Sequence, residues 1–331
     1  MPRAARLTPS LRTPARLTPV AATAAVAAAL VLLGSSPAVS VAPPLSNPRV
    51  VAHFDIATGQ TPENLVLEPD GSADVTLAAA RQVARVALDG SAPRIIATLP
   101  PAAPTPVVGF AAVSGIARGH DGTLYVNYAT GDALSGVWRI SPGGPPEQLA
   151  ALPPDGLPNG LALDERRGVL YAAESTSGTI WRVSLHRGPA TAWATAAELR
   201  PTAFLGANGV RLHDGAVWVS NTDRGTVLRI PVRPDGAAGP VETRVTGIDG
   251  IDDFGFTGPH GDTLLAARNV ANEVVYVAAD GTRSVVLTQP DGLSNPTSVA
   301  VRGGTVYVTG AAFFTRQDPN LLLATLRGRH P

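Results

Sequence analysis

The 331-residue chain has no cysteine and no lysine, a single methionine, and only 5% aromatic residues. Without cysteine there can be no disulfide, thiol nucleophile, iron–sulfur cluster or thiolate-bound zinc, so the core must hold the fold together unaided. Without lysine all 26 basic side chains are arginine, which reads as codon usage rather than as an arginine-specific task. They are spread along the chain and balanced by 26 carboxylates. Neither nucleic acid nor an anionic membrane is therefore expected as a partner. No apolar run reaches the roughly 20 residues that span a bilayer, and no Gly-x-Ser-x-Gly elbow marks a serine hydrolase. After residue 41 no segment keeps a helical period.

The longest carboxylate-free apolar run, residues 20–33, follows Arg3, Arg6, Arg12 and Arg16 and precedes the small-residue stretch Ser36-Pro37-Ala38-Val39-Ser40. Basic, then apolar, then small is the order of a secretory signal peptide. Residues 1–40 are assigned to it, with cleavage near Ala38 or Ser40, a secreted product, and no membrane attachment after cleavage. A retained signal anchor is the alternative. The remaining 41–331 is long enough to bury a sufficient core as one domain.

What the chain does have is glycine (34) and proline (31) in quantity, scattered as turns between short strands, and a repeat. Six segments open with a polar pair followed by apolar residues: Glu63-Asn64, Ser114-Gly115, Asn159-Gly160, Asn208-Gly209, Asp252-Asp253 and Thr297-Ser298. They lie 44 to 51 residues apart, the length of one propeller blade. Each copy continues through a turn, a second strand such as Val217-Trp218-Val219, a third such as Ile180-Trp181-Arg182-Val183, and a weaker fourth. β-branched and aromatic residues fill these runs with period two. The sixth copy stops at its third strand, residues 321–326, while Arg49-Val50-Val51-Ala52-His53-Phe54 precedes the first copy unpaired. The fold class is thus all-β: a six-bladed β-propeller whose N-terminal strand closes the ring and removes an exposed edge.

In a propeller the first strand of each blade lines the central channel, so the heads of the six copies form a ring. That ring reads Glu63, Ser114, Asn159, Asn208, Asp252, Thr297, with no apolar member. Two carboxylates and two amides in a narrow channel are costly without a cation. Oxygen donors of this kind suit calcium or another hard divalent ion, and the absence of histidine and cysteine from the ring argues against zinc or copper. The alternative is that polar pairs at strand starts are ordinary turn chemistry.

The chain resembles the gluconolactonase and senescence-marker-protein family of calcium-dependent lactonases, and more distantly the paraoxonases. The resemblance rests on Pro62-Glu63-Asn64, on Leu157-Pro158-Asn159-Gly160-Leu161-Ala162 with Tyr171-Ala172-Ala173-Glu174, on Ala207-Asn208-Gly209-Val210 with Ser220-Asn221-Thr222, and on Asp252-Asp253-Phe254. It implies that Glu63, Asn159, Asn208 and Asp252 bind the metal, and that Asp252 also serves as base or nucleophile. The blade-two position holds Ser114 instead of a stronger ligand, and the paraoxonase-type histidine pair is not evident. His120, His213 and His260 fall in turns on the opposite face and are expected to be solvated.

Loops after the second strands should form the pocket wall. Together with Ser114, Tyr128, Glu174, Asn221, Asn269, Phe313 and Phe314 are therefore the candidate substrate contacts. The expected function is a secreted, calcium-dependent lactonase or esterase-type hydrolase, monomeric and acting on a small molecule. Alternatives are a non-hydrolytic propeller enzyme, of the strictosidine-synthase-like or cycloaddition-steering kind, and a secreted binding propeller with a structural metal.

Overall fold

The computed structural model describes residues 44–327; the assigned signal segment, 1–40, lies outside them. Six four-stranded antiparallel sheets follow one another along the chain. Blades one to five span 62–98, 112–151, 158–195, 207–245 and 251–287, each with its strands in sequential order. Blade six takes its inner three strands from Pro296–Arg302, Thr305–Gly310 and Asn320–Leu326, and its outer strand from Leu45–His53. The register pairs Leu45 with Leu326, Val50 with Leu322 and His53 with Asn320. This is the six-bladed propeller with the N-terminal closure that the repeat predicts. The closing strand begins four residues earlier than the unpaired run suggests, and Phe54 lies just past it, its N–H bonded to the Pro319 carbonyl at 2.8 Å.

Why the strands read as near-continuous apolar runs follows from the core. Among the described residues, six hydrophobic clusters each straddle one junction between neighbouring blades. Every blade is therefore buried on both faces, and alternate residues of a strand serve different clusters. In Ala216–Asn221, Val217 and Val219 pack toward blade three, while Ala216 and Trp218 pack toward blade five. Trp218 is fully buried, stands edge-on to Phe256 at 5.0 Å, and donates its indole N–H to the His213 carbonyl. His213 departs from expectation here. Its ring is buried, stacked on Phe256 at 3.7 Å, with Nε2 2.9 Å from the Gly261 carbonyl. His213 is the last residue of the first strand of blade four, paired with Ala216, rather than part of the turn, and the next blade covers it.

One irregularity recurs at the same place in every blade. The pairing of first with second strand shifts register at the polar pair: between Pro62 and Leu65, Val113 and Ile116, Pro158 and Leu161, Ala207 and Val210, Ile251 and Phe254, and Pro296 and Ser298. Such bulges free backbone groups and re-aim side chains. Second-strand side chains take up the freed groups and stitch adjacent blades. Thr76 accepts from the Asn64 N–H and donates to the Ser114 carbonyl of blade two (2.7 Å). Asn127 donates to the Asn159 carbonyl of blade three (2.7 Å), and Ser220 to the Asp252 carbonyl of blade five (2.5 Å). In blades two to four the second member of the pair is glycine because the next inner strand is too close for anything else. A Cβ on Gly115, Gly160 or Gly209 would fall 2.2, 2.3 or 2.2 Å from an atom of the following blade.

Candidate functional site

The bulges turn the ring residues into a cup at one mouth of the channel. Glu63, Ser114, Asn159, Asn208 and Asp252 all line a cavity of about 290 Å³. Thr297 does not: its hydroxyl is turned to the Pro62 carbonyl (2.9 Å) and Thr309. The four residues read as metal ligands thus share one floor.

Below the floor lies a polar plug built from the second members of the pairs. The Oδ2 atom of Asp253 accepts from Asn64 (3.0 Å), Ser298 (2.8 Å) and Arg211, and its Oδ1 accepts the Phe254 N–H (2.8 Å). Arg211 also reaches the Ser298 hydroxyl at 3.1 Å. Asp253 is almost fully buried. Blades one, four, five and six thereby meet on one carboxylate. On the far side of the plug a second cavity, lined by Arg118, His120 and Arg211 among others, shares no lining residue with the cup among those described. The cup is closed at its base.

The floor concentrates carboxyl groups where water is scarce. Burial, with the nearby charge of Asp253, pushes the Glu63 carboxyl up from 4.5 to about 8. Burial, then the charges of Glu63 and Asp253, holds Asp252 well above the usual carboxylate range, with the Asn208 amide pulling the other way. Glu63 Oε2 is buried with no hydrogen-bond partner. Asn208 spends its amide hydrogens on Asp252 Oδ1 and Thr222 Oγ1, both 2.9 Å away, which leaves its Oδ1 available to a ligand. Ser114 donates to the Pro158 carbonyl at 2.7 Å, so toward the cup it can only accept. An unpartnered carboxylate oxygen, a second carboxylate and amide and hydroxyl oxygens around one cavity fit a hard divalent cation. Among the described residues, no three or more His, Cys, Asp or Glu side chains group to hold a metal. Any cation here depends on the amide oxygens as well.

Of the expected wall contacts, Asn269, Phe313 and Phe314 line the cup. Tyr128, Glu174 and Asn221 do not, and each is occupied in holding a loop. Tyr128 is buried, its hydroxyl on the Pro100 carbonyl. Glu174 accepts from the Leu157 amide (2.9 Å), Thr176 and Ser177. Burial alone would raise its pKa, but these hydrogen bonds outweigh burial and lower it. Asn221 donates to the Glu198 and Arg200 carbonyls. The expectation missed the loops that enter the inner strands of blades two to five. Val108, Phe110, Leu157, Phe204, Leu205 and Gly250 line the cup from there, within a few residues of the polar pairs. The apolar residues just upstream of the pairs in blades two to four were the available signal.

No family profile and no curated protein matches the chain. Solved structures do, at the level of fold. The calcium-binding protein regucalcin from Agrobacterium tumefaciens superposes with a TM-score of 0.62 at 16% identity, over 86% of this chain and 96% of that one. A protein provisionally assigned as a gluconolactonase gives 0.61 at 16% identity, over 86% and 93%. Virginiamycin B lyase from Staphylococcus aureus gives 0.56 at 18% identity, over 81% of each chain. At such identities the shared property is the propeller, and the site must speak for the chemistry.

Proposed function

We propose that the cup is the active site of a divalent-metal-dependent hydrolase that opens a lactone or a related ester. The observation that carries this reading is the floor: two carboxylates, one with an unpartnered buried oxygen, beside amide oxygens at the closed base of the cup. Glu63, Asn159, Asn208 and Asp252 would hold the ion, calcium being the best match to an all-oxygen set. Bound there, such an ion supplies Lewis-acid polarisation of a carbonyl. Asp252 is the residue that moves the proton: Asn208 fixes its Oδ1, leaving Oδ2 to accept a proton from water or to attack the acyl carbon. Burial and the neighbouring carboxylates hold its pKa up in the absence of a cation; a nearby positive charge lowers it and keeps Asp252 in the ionised form that can take a proton. Ser114, its hydrogen already donated, serves as an acceptor rather than a nucleophile. The neighbours include a calcium-binding propeller and one assigned as a gluconolactonase, which supports the same reading.

We place the protein outside the cytoplasm on the strength of residues 1–40, and propose that it acts as a monomer. No helix among the described residues is long and apolar enough to cross a membrane. The test is turnover of a panel of lactones, aryl esters and phosphotriesters by purified protein with calcium and with chelator. Calcium-dependent lactone hydrolysis supports the proposal. A chelator effect on melting with no turnover of any substrate would assign the metal a structural role instead.

A further inference from the structure

The wall of the cup is chemically unlike its floor. Among the described residues only two polar side chains stand on it, Thr222 and Asn269. Thr222 is engaged by Asn208, and Asn269 donates to the Asn295 and Pro296 carbonyls. The rest is apolar, and the lower part forms its own small cluster, in which Val108, Phe110 and Leu205 pack on Ala78, Ala112 and Leu157. At the rim stand three of the most exposed large apolar side chains among the described residues: Phe204 (55%), Val270 (68%) and Phe314 (62%). They come from three different loops, on blades four, five and six.

Two of those loops are braced. The carboxylate of Asp223 accepts the N–H groups of Thr202, Ala203, Phe204 and Leu205 at 2.8, 2.6, 2.8 and 3.2 Å. The Asn295 side-chain oxygen accepts those of Phe314 (2.9 Å) and Thr315 (2.8 Å). An aromatic side chain left in water is unfavourable, and bracing its backbone prevents it from folding away. Preorganised apolar contacts above a polar floor are the arrangement of a ligand pocket.

We propose that the cup selects a hydrophobic substrate: one carbonyl head that reaches the oxygen-lined floor, carrying an alkyl or aryl body that lies against the wall and rim. This rests on the hydrolase reading for the identity of the head, but the wall argues for the body independently. A sugar-like lactone would bring several hydroxyls against a wall that offers them only the Thr222 hydroxyl hydrogen and the Asn269 side-chain oxygen as polar partners. Each buried hydroxyl without a partner weakens binding roughly tenfold or more, whereas each methylene taken from water strengthens it roughly fourfold. The cavity, about 290 Å³, is at the small end of ligand pockets, which run to ~1,000 Å³. Body length should therefore stop contributing once the rim is reached.

The experiment measures binding of inert δ-lactams by calorimetry in the presence of calcium. One series carries unbranched alkyl chains of increasing length, and one ligand is the polyhydroxylated glucono-δ-lactam. Dissociation constants should fall roughly fourfold per methylene until the cup is filled, and the polyhydroxylated lactam should bind more weakly than the unsubstituted ring. The double variant Phe204→Ser, Phe314→Ser, both at exposed positions, should flatten the chain-length dependence. Leu88→Ser, exposed but not lining the cup, should leave it intact. A flat series in the native protein, tighter binding of the polyhydroxylated lactam, or no binding of any lactam overturns the proposal. Should the series bind as expected while none of the corresponding lactones or esters is hydrolysed, the apolar selectivity stands and the hydrolase reading falls.

Discussion

Arg211→Met tests whether the plug beneath the cup is structural. In the native protein Arg211 is the cation on Asp253, a carboxylate 2% exposed that also receives hydrogen bonds from Asn64, Ser298 and the Phe254 amide. Methionine keeps the stem and removes the charge. Asp253 then stays buried beside Glu63 and Asp252 with hydrogen bonds but no counter-charge, and breaking a buried pair in this way costs about 3–5 kcal/mol. Arg211 retains some exposure at the opposite mouth, so a loss nearer ~3 kcal/mol is expected. At about 2 cal/mol/K of unfolding entropy per residue, a domain of this size loses roughly 5 °C of melting temperature for that change. The assay is calorimetric melting of the single variants and of the double variant Arg211→Met, Asp253→Asn. Removing both charges should recover most of the loss, because the cost comes from the orphaned carboxylate rather than from the missing contact. A single-variant change below about 1 kcal/mol, or a double variant as unstable as the two singles combined, would refute the reasoning.

Asp252→Asn should lower turnover by at least about 100-fold while weakening calcium affinity less, whereas Glu63→Gln should chiefly weaken calcium binding; full turnover in Asp252→Asn on a confirmed substrate would show the base to be misassigned. Because Glu63 titrates near 8 in the fold rather than at 4.5, the folded state holds its proton more tightly than the unfolded chain. Metal-free protein should therefore lose stability as pH rises from about 4.5 to 8, by up to about 5 kcal/mol from Glu63; calcium should flatten the curve measured by melting, and Glu63→Gln should remove the Glu63 share while leaving that of Asp252. Gly209→Ala would set a Cβ 2.2 Å from Asp253 Oδ1, and should cost about 1–3 kcal/mol by overpacking the channel; denaturant melts of this variant check it.

The blades were legible because each is buried on both faces, so the apolar alternation of strands such as Val217-Trp218-Val219 survives in all six copies. The ring was legible because the polar pairs sit where apolar residues would otherwise be. The wall was read less well. Glu174 and Asn221 are polar and end second strands, yet their side chains satisfy backbone groups of neighbouring loops. That choice depends on how two blades meet, which a single strand does not record. Phe204 and Val108 lie in irregular segments that carry no period, and Asp223, which braces Phe204 from the next loop along, is separated from it by 19 positions. Nor does the spacing show that Asn64, Arg211 and Ser298 converge on Asp253, because residues of different blades become neighbours only when the ring closes.

Blade six joins the strand Leu45–His53 to Asn320–Leu326, so its outermost member is synthesised before every other blade and its partner after them. While the chain is being made, the first strand has nothing to pair with, and five complete blades can form an open arc before it does. Completion of the circle is thus tied to delivery of the last strand of the repeat. A product broken off before residue 320 keeps most of its sheets yet leaves an unsatisfied edge at the gap, a species prone to self-association and open to proteolysis. An unfinished chain thus differs from a finished one in topology, although most of its blades are the same.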